Sequence, residues 1–159
     1  MSDHVLEHRP GRGASPYDVW EFACGLLRDG WAASWADMFA EDGVLEIPLG
    51  RPLLPPRLVG REEIRVLAPV QKRAYEMHPA TRTNLVVHET TDPEVIVCEF
   101  VSERQEKSTG NVYKMPYVHV VRVRNGEIVH LRDYAPIHLA PPSVDQVVAA
   151  LGARTEAAD

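Results

Sequence analysis

The sequence has few of the features that direct a protein to a membrane or to nucleic acid. None of its apolar runs approaches the ~20 residues that a helix needs to cross a bilayer. The polar start, MSDHVLEHRPGRGASP, lacks the apolar region of a secretory signal. Lys and Arg number 17 against 23 Asp and Glu, and the net charge of −6 is unlike the clustered basic charge that favours phosphate surfaces. We therefore expect a cytoplasmic protein that binds neither membranes nor nucleic acid.

Candidate metal ligands and cofactor-binding motifs are also scarce. The two cysteines, Cys24 and Cys98, lie in apolar stretches without the spacing of a metal site, and we expect both to be reduced and buried. No two histidines have metal-site spacing, and no glycine-rich loop suggests a bound phosphate or dinucleotide. The sequence thus predicts an activity that needs no metal and no cofactor.

The features that are present suit one globular domain. The chain has 159 residues, of which 45% are apolar and 25% are charged. Both fractions are typical of globular proteins, and the length is that of a single domain. We predict a flexible tail over residues 1–15, one domain over residues 16–152 and a second flexible tail over residues 153–159.

Secondary-structure signals divide the chain into a helical part and a strand-rich part. Apolar residues with helical spacing begin at Tyr17, recur from Trp31, and recur again over residues 60–75, where Pro69 should kink or divide the helix. One strand falls among these helices, and a last helix follows Ser143. The other strands are predicted over residues 81–89, 94–104, 112–124 and 127–136. This order predicts an α+β fold, with helices on the concave face of a curved sheet and a cavity between the two layers.

The strongest functional candidates are His119 and Asp133, which lie in the last two strands on either side of Asn125-Gly126. A two-residue turn would place them on opposite faces of the sheet, because alternate side chains share a face. A three-residue turn with Gly126 in the left-handed conformation would place His119 opposite Leu131. Asp133 would then be a same-face neighbour of His119, within side-chain reach.

The apolar pattern favours the three-residue turn. Only that register separates the arginines from the apolar residues of the hairpin, which are Val121, Val123, Val129 and Leu131. His119 and Asp133 would then point into one interior. A strand histidine is often only structural, but an unpaired buried carboxylate is costly. Asp133 is therefore either held by a partner or kept for chemistry, and the pattern alone leaves both open.

Four segments carry a family resemblance. FAEDGVLEIP and LVGREEIRVL form one pair, and VVHETTDPEVIVCEF and YVHVVRVRNGEIVHLRDYAPI form another. The first pair resembles the SnoaL-like polyketide cyclases, within the group of nuclear-transport-factor-2-like folds. The second pair is similar to the phenazine-biosynthesis A/B branch of that family. The resemblance covers about residues 17–140 and implies a cone-shaped, cystatin-like domain with a curved mixed sheet, which forms a homodimer.

The same resemblance implies roles for the two candidates. Asp133 falls at the position of the cyclases' acid/base aspartate, and His119 at that of a pocket histidine. We therefore predict a cofactor-free acid/base enzyme of the cyclase or isomerase type, which acts on a small apolar molecule of natural-product type. Asp133 would abstract a proton next to a carbonyl and later return it. His119 would orient Asp133 or donate to the enolate oxygen.

The predicted pocket is mainly apolar. Its substrate-binding residues are predicted to be Tyr17, Trp20, Trp35, Phe39, Ile47, Tyr117, Val121 and Leu131. The outer sheet face also carries apolar side chains, Val118, Val120 and Tyr134, and such a surface indicates a homodimer. The alternative to an enzyme is a module of the same fold that binds a small ligand or a partner subunit without turnover.

Overall fold

The computed structural model describes residues 3–50, 54–142 and 149. The helices are α1 (Asp3–Leu6), α2 (Pro16–Arg28), α3 (Ala32–Trp35), α4 (Arg61–Arg65) and α5 (Ala68–Met77), with 3-10 turns at Ala36–Met38 and Ile137–Leu139. The strands are β1 (Phe39–Glu46), β2 (Arg57–Val59), β3 (Ala80–Glu89), β4 (Val95–Gln105), β5 (Val112–Arg124) and β6 (Glu127–Asp133). Apart from residue 149, the helix predicted after Ser143 and the tail predicted over residues 153–159 lie outside the described residues.

Local sequence signals explain where two of the helices begin. The Oγ atom of Ser15 accepts a 3.1 Å hydrogen bond from the backbone N–H of Asp18, which caps α2. Pro16 takes the first position of α2, where a missing N–H costs nothing. The predicted break near Pro69 is confirmed, because α4 and α5 are separate helices and Pro69 lies in the first turn of α5. No helix of the described part of the chain is long and apolar enough to cross a membrane.

The six strands form one mixed sheet in the order β2-β1-β6-β5-β4-β3. Strands β1 and β6 run parallel, and the other neighbours are antiparallel. Helix α2 packs against β4, β5 and β6, and α3 and α5 contact α2 and each other. The curved α+β architecture predicted from the sequence is therefore confirmed. Its helices cover the inner face of the sheet, and this layer arrangement positions the candidate site.

The segment before α2 contacts the same core. Val5 and Leu6 of α1 pack against the buried residues of the domain. The backbone of Gly11 approaches the β5–β6 turn so closely that a Cβ atom on Gly126 would lie 2.7 Å from the Gly11 carbonyl oxygen. Within the region predicted as a tail, residues 3–15 thus include a short helix and contacts to the domain.

The turn between β5 and β6 differs from the one favoured by the apolar pattern. Arg124 pairs with Glu127, so the turn has two residues, and the predicted three-residue turn is wrong. Asn125 and Gly126 have φ values of 52° and 77°. Both positive angles fit the tight hairpin turn whose twist matches that of the flanking strands.

A β-bulge at Val129 then restores the shared face. Val123 pairs with Ile128 but Arg122 pairs with His130, so Val129 is an extra residue in β6. Ile128 is fully buried and takes the core position that had been assigned to Val129. Beyond the bulge His119 pairs directly with Asp133, so its predicted pairing with Leu131 is also wrong. The turn alone would separate the two candidates, and the bulge brings them together.

Candidate active site

A cavity of about 210 Å³ lies between helices α2 and α5 and the inner face of the sheet. Its wall is mainly apolar, and the polar side chains on it include Gln71, Tyr75, Arg82, Arg104, Tyr117, His119 and Asp133. An apolar cavity of about 150 Å³ is enough to bind benzene in another protein. This cavity therefore has room for a ligand somewhat larger than one aromatic ring.

Five of the ten predicted site residues line this cavity. These are Trp35, Ile47, Tyr117, His119 and Asp133. The other five are not on its wall: Tyr17, Trp20, Phe39, Val121 and Leu131. All but Tyr17 are buried, and Tyr17 packs on the core from outside. The four buried side chains fill the layer between helices and sheet.

A chain of two hydrogen bonds links α2 to the β5–β6 hairpin. The indole N–H of Trp20 donates to Nδ1 of His119 at 2.9 Å. Nε2 of His119 lies 3.1 Å from Oδ1 of Asp133. His119 is buried, and Trp20 is 1% exposed. The interior residue Trp20, predicted to touch substrate, instead supports the residue that holds Asp133.

The Trp20 contact determines which nitrogen of His119 carries the proton. An indole N–H can only donate, so Nδ1 must be the acceptor and cannot carry a proton. The neutral ring then has its proton on Nε2, which donates to Asp133. Protonating His119 would give it two donor nitrogens and break the bond from Trp20. In this tautomer the Nε2–H of His119 orients Asp133.

Aromatic packing holds the imidazole ring in this orientation. The rings of Trp20, Phe100 and Tyr117 surround His119 with centroid distances of 6.0, 5.0 and 5.9 Å. All three meet it edge to face, with interplanar angles of 88–90°, an arrangement that aromatic quadrupoles favour. The ring cannot turn without displacing these neighbours, so Nε2 stays directed at Asp133.

Asp133 is the polar end of this chain that faces the cavity. Its side chain is 25% exposed, against 11% for His119. Oδ1 is engaged by His119, whereas Oδ2 has no hydrogen-bond partner among the described residues. A carboxylate on the wall of an apolar cavity, with one oxygen held by a histidine, has the arrangement expected of a general base.

Arg104 and Tyr75 are cavity residues that the sequence predictions omitted. Arg104 follows Phe100 and Ser102 on the inner face of β4 by strand alternation, and Tyr75 approaches from α5. The Cζ atom of Arg104 lies 4.7 Å from the centroid of the Tyr75 ring. The alternating pattern of β4 contains the signal that places Arg104 inside.

The neighbouring phenols stay protonated near neutral pH. Burial raises the pKa of Tyr117 to about 12, with smaller effects from Arg104 and Asp133. Burial also raises the pKa of Tyr75. Both hydroxyls therefore keep the proton that a hydrogen-bond donor needs. Among the residues that the structure describes, no group of three His, Cys, Asp or Glu side chains could hold a metal ion.

Comparison with known proteins identifies the family. Residues 17–131 match the SnoaL-like domain. The uncharacterised PhzA/B-like protein PA3332 of Pseudomonas aeruginosa is 34% identical over 110 residues, which are 69% of this chain and 75% of that protein.

Two solved structures share the fold. Δ5-3-ketosteroid isomerase from Mycobacterium sp. has a TM-score of 0.60 at 21% identity and covers 79% of this chain and 97% of its own. The phenazine biosynthesis-related protein PhzB2 from Pseudomonas aeruginosa has a TM-score of 0.53 at 18% identity, covering 76% and 87%. At these identities the likeness shows the fold alone.

Proposed function

We propose that this chain, which belongs to the SnoaL-like domain family, is a cofactor-free acid/base enzyme of the cyclase or isomerase type. The observation that carries the proposal is the position and hydrogen bonding of Asp133. His119 holds one of its oxygens, and Asp133 lines an apolar cavity large enough for a small organic molecule. The same fold serves an established isomerase, which supports this class of chemistry.

Asp133 performs the proton transfer in this scheme. Its free Oδ2 removes a proton from the carbon next to a substrate carbonyl, and the electron pair moves onto the carbonyl oxygen as an enolate. In an isomerisation the carboxylic acid then returns the proton to another carbon. In an aldol cyclisation the enolate carbon first adds to a second carbonyl of the substrate, and the alkoxide formed from that carbonyl takes the proton. His119 is a positioning residue, because its Nε2–H is already engaged with Oδ1 of Asp133.

Tyr117 is the proposed donor to the developing enolate oxygen. Its ring meets His119 edge to face at a centroid distance of 5.9 Å, and Tyr117 lines the same cavity as Asp133. Its pKa is raised to about 12 by burial, so the O–H is retained at neutral pH. A fixed donor in a cavity with little water stabilises developing negative charge more than the same donor in bulk water does.

Deuterium exchange into ketones tests this function without knowledge of the natural substrate. Cyclohexanone, 1-indanone and 2-tetralone are incubated in D₂O with wild-type protein or Asp133→Asn, and α-proton loss is followed by NMR. The catalysed rate should fall by ~10²–10⁴ in the variant, as for a lost general base. A thermal melt checks that the nearly isosteric variant remains folded.

Three outcomes would contradict the catalytic role. Exchange that is retained per folded molecule in Asp133→Asn would reject Asp133 as the base. Saturable ketone binding without exchange in the wild type would favour the alternative, a ligand-binding module of the same fold. A large fall in melting temperature with function retained would mark Asp133 as structural.

A homodimer is also proposed. Val118, Val120 and Tyr134 lie half-buried on the outer sheet face, and exposed valines such as Val86 and Val112 add to its apolar area. Surfaces of this kind are commonly covered by a partner. Light scattering at micromolar concentration should give twice the monomer mass, and a monomer would contradict the proposal.

A further inference from the structure

The cavity contains a guanidinium group that the proton-transfer scheme does not use. Arg104 projects from the inner face of β4 into the cavity that Asp133 also lines. Its Cζ atom stacks on the Tyr75 ring, and the Tyr117 phenol is its other neighbour. Arg104 is thus held at a fixed place on the wall by two aromatic residues from different elements.

Arg104 differs from Arg82, which also lines the cavity. Arg82 is compensated by Glu21, whose two carboxylate oxygens lie 2.9 and 2.7 Å from its Nη2 atom. Arg104 forms no ion pair with any residue in the described part of the chain. Its partners Tyr75 and Tyr117 are neutral phenols, because burial raises the pKa of each. The cavity therefore contains a cation whose protein neighbours do not neutralise it.

A partly buried cation of this kind is suited to an anionic ligand. A guanidinium keeps its charge at any ordinary pH and presents a planar fork of N–H donors that matches a carboxylate with two parallel bonds. Burial without a counter-charge is costly, and a ligand that brings the counter-charge removes that cost. The protonated Tyr75 hydroxyl can add a further donor. A carboxylate needs one fork, whereas a phosphate dianion would be left undercompensated by a single cation.

We propose that the substrate is an apolar molecule bearing a carboxylate, which pairs with Arg104. This inference deepens the proposed function and rests on it for the identity of the reacting end. Tyr117 separates the two ends, because its ring contacts His119 while its phenol neighbours Arg104. Repulsion from the Asp133 carboxylate turns the ligand so that its own carboxylate lies away from the base. The carbonyl and the acidic C–H are then presented to Tyr117 and Asp133.

Binding of a matched pair of probes tests the proposal. 2-Naphthoate and 2-naphthamide have nearly the same shape, and only the first carries a charge. Isothermal titration at neutral pH should show the wild type binding 2-naphthoate more tightly than 2-naphthamide by about 10- to 100-fold, the range for a charged hydrogen-bonded pair. In Arg104→Met, which keeps an unbranched side chain but removes the charge, this preference should vanish because the affinity for 2-naphthoate falls far more than that for 2-naphthamide.

Three further variants sharpen the result. Lys114→Gln removes one positive charge from an exposed ion pair with Glu103 and should keep the preference. Arg104→Lys keeps the charge without the planar fork and should show an intermediate preference. It also replaces Arg104→Met as the test should that variant fail to fold. Asp133→Asn should retain or increase the preference for 2-naphthoate.

The outcomes separate this inference from the proposed function. Equal affinity of the wild type for both probes, or binding of neither at millimolar concentration, would overturn the role of Arg104. So would a preference that survives in Arg104→Met. None of these results depends on proton exchange, so none of them bears on the role of Asp133, which the deuterium-exchange assay tests separately. Conversely, an exchange rate that Asp133→Asn does not change would reject Asp133 as the general base. The preference for 2-naphthoate over 2-naphthamide could still be measured in that case.

Discussion

The polar side chains on the two faces of the β5–β6 hairpin are arranged differently. On the outer face Arg122 donates to Asp92 and Glu94 at 2.8 and 3.0 Å, and Arg124 donates twice to Glu94 at 2.9 and 2.8 Å. These groups share partners and are partly exposed to water. Loss of one contact leaves others, and water can replace it, so the outer face tolerates change.

The inner face has a linear chain of hydrogen bonds and not a network. Trp20, His119 and Asp133 are joined end to end, and each link has one donor and one acceptor. Loss of one link leaves a buried polar atom without a partner, which water cannot readily replace. The same two strands thus tolerate the loss of a polar contact on their outer face but not on their inner face. The Val129 bulge decides which residues meet which face.

The largest expected effect on the free energy of unfolding comes from the bulge that sets the register of the hairpin. Ile128 is fully buried beside the bulge, whereas Val129 is only half-buried. Ile128→Ala should lower the free energy of unfolding by about 2–5 kcal/mol, as for other buried aliphatic truncations. Val129→Ala should lower it by less than about 1.5 kcal/mol. Urea unfolding measures both. The opposite ranking would mean that Val129 occupies the core and that the turn has three residues.

A smaller effect should follow from cutting the first link of the inner chain. Trp20→Phe keeps an aromatic ring and removes the donor to Nδ1 of His119. Stability should fall by about 1–3 kcal/mol, the cost of a buried group left without a partner. Nitrogen chemical shifts of His119 should change from a single neutral tautomer protonated at Nε2 to a mixture of tautomers.

Trp31→Phe is the matched control for that change. Trp31 is 40% exposed, so the same chemical change should alter stability by less than about 0.5 kcal/mol. Equal losses in the two variants would show that ring size and not the hydrogen bond matters. A wild-type His119 protonated at Nδ1 would contradict the assigned tautomer.

The order of elements was predictable because it depends on local signals. Alternating β-branched runs, turn residues and Pro69 mark the strands and helices without knowledge of their neighbours. The layer arrangement follows, since helices with one apolar stripe must cover the apolar face of a sheet. The β5–β6 register depends on two one-residue choices, the turn and the bulge. A one-residue change at either place moves the side chains of β6 to the opposite face of the sheet, so the two changes cancel. His119 and Asp133 were therefore predicted correctly to share a face, although the predicted turn was wrong.

The candidate site was only partly predictable for a related reason. Strand alternation puts His119 and Asp133 on the inner face, but it does not show which large side chains fill the core and which line a cavity. Trp20 was assigned to ligand contact, and its bond to His119 depends on how α2 packs on the sheet. Arginines in strands are usually solvent-exposed, so the residue type alone does not place Arg104 inside. Only the approach of Tyr75 from α5 shows that it is enclosed.

Alkaline pH should weaken the inner face selectively. Cys98 pairs across the sheet with His119 and is completely buried, and burial raises its pKa to about 12 from 9.0. The folded state therefore holds the thiol proton more tightly than the unfolded state. The stabilisation is complete below pH 9 and is lost progressively as the pH rises from 9 toward 12.

Unfolding experiments at pH values up to about 10, where tyrosines begin to ionise, measure this loss. The wild type should lose about 1 kcal/mol from Cys98 between roughly pH 8 and pH 10. Cys98→Ala starts from a lower stability because of the truncation, but it should show a shallower alkaline decline. Identical declines in the two proteins would exclude Cys98 as the source.

The smallest effect is expected on the outer face, and it should appear at acid pH. Hydrogen bonds from Arg124 lower the pKa of Glu94 to about 2 from 4.5, with Arg122 adding to the effect. A depressed pKa means that the stabilisation is present above pH 4.5 and disappears as the pH falls toward 2. Because these groups are solvent-exposed, Glu94→Gln should lower the melting temperature by only about 1–2 °C at neutral pH.

That difference should respond to both pH and salt. It should shrink as the pH falls from 4.5 toward 2, because the unfolded state takes up the proton first, and it should vanish once the pH has fallen through about 2 and the folded wild-type carboxylate is protonated as well. It should also shrink in about 1 M salt, where charges are screened beyond roughly 3 Å. Glu41→Gln changes an exposed glutamate that has no ion pair among the described residues, and it should leave the melting temperature unchanged throughout. A Glu94→Gln difference that persists at acid pH or in high salt would mean that packing stabilises the outer face. The contrast between a screened outer network and a buried inner chain would then be lost.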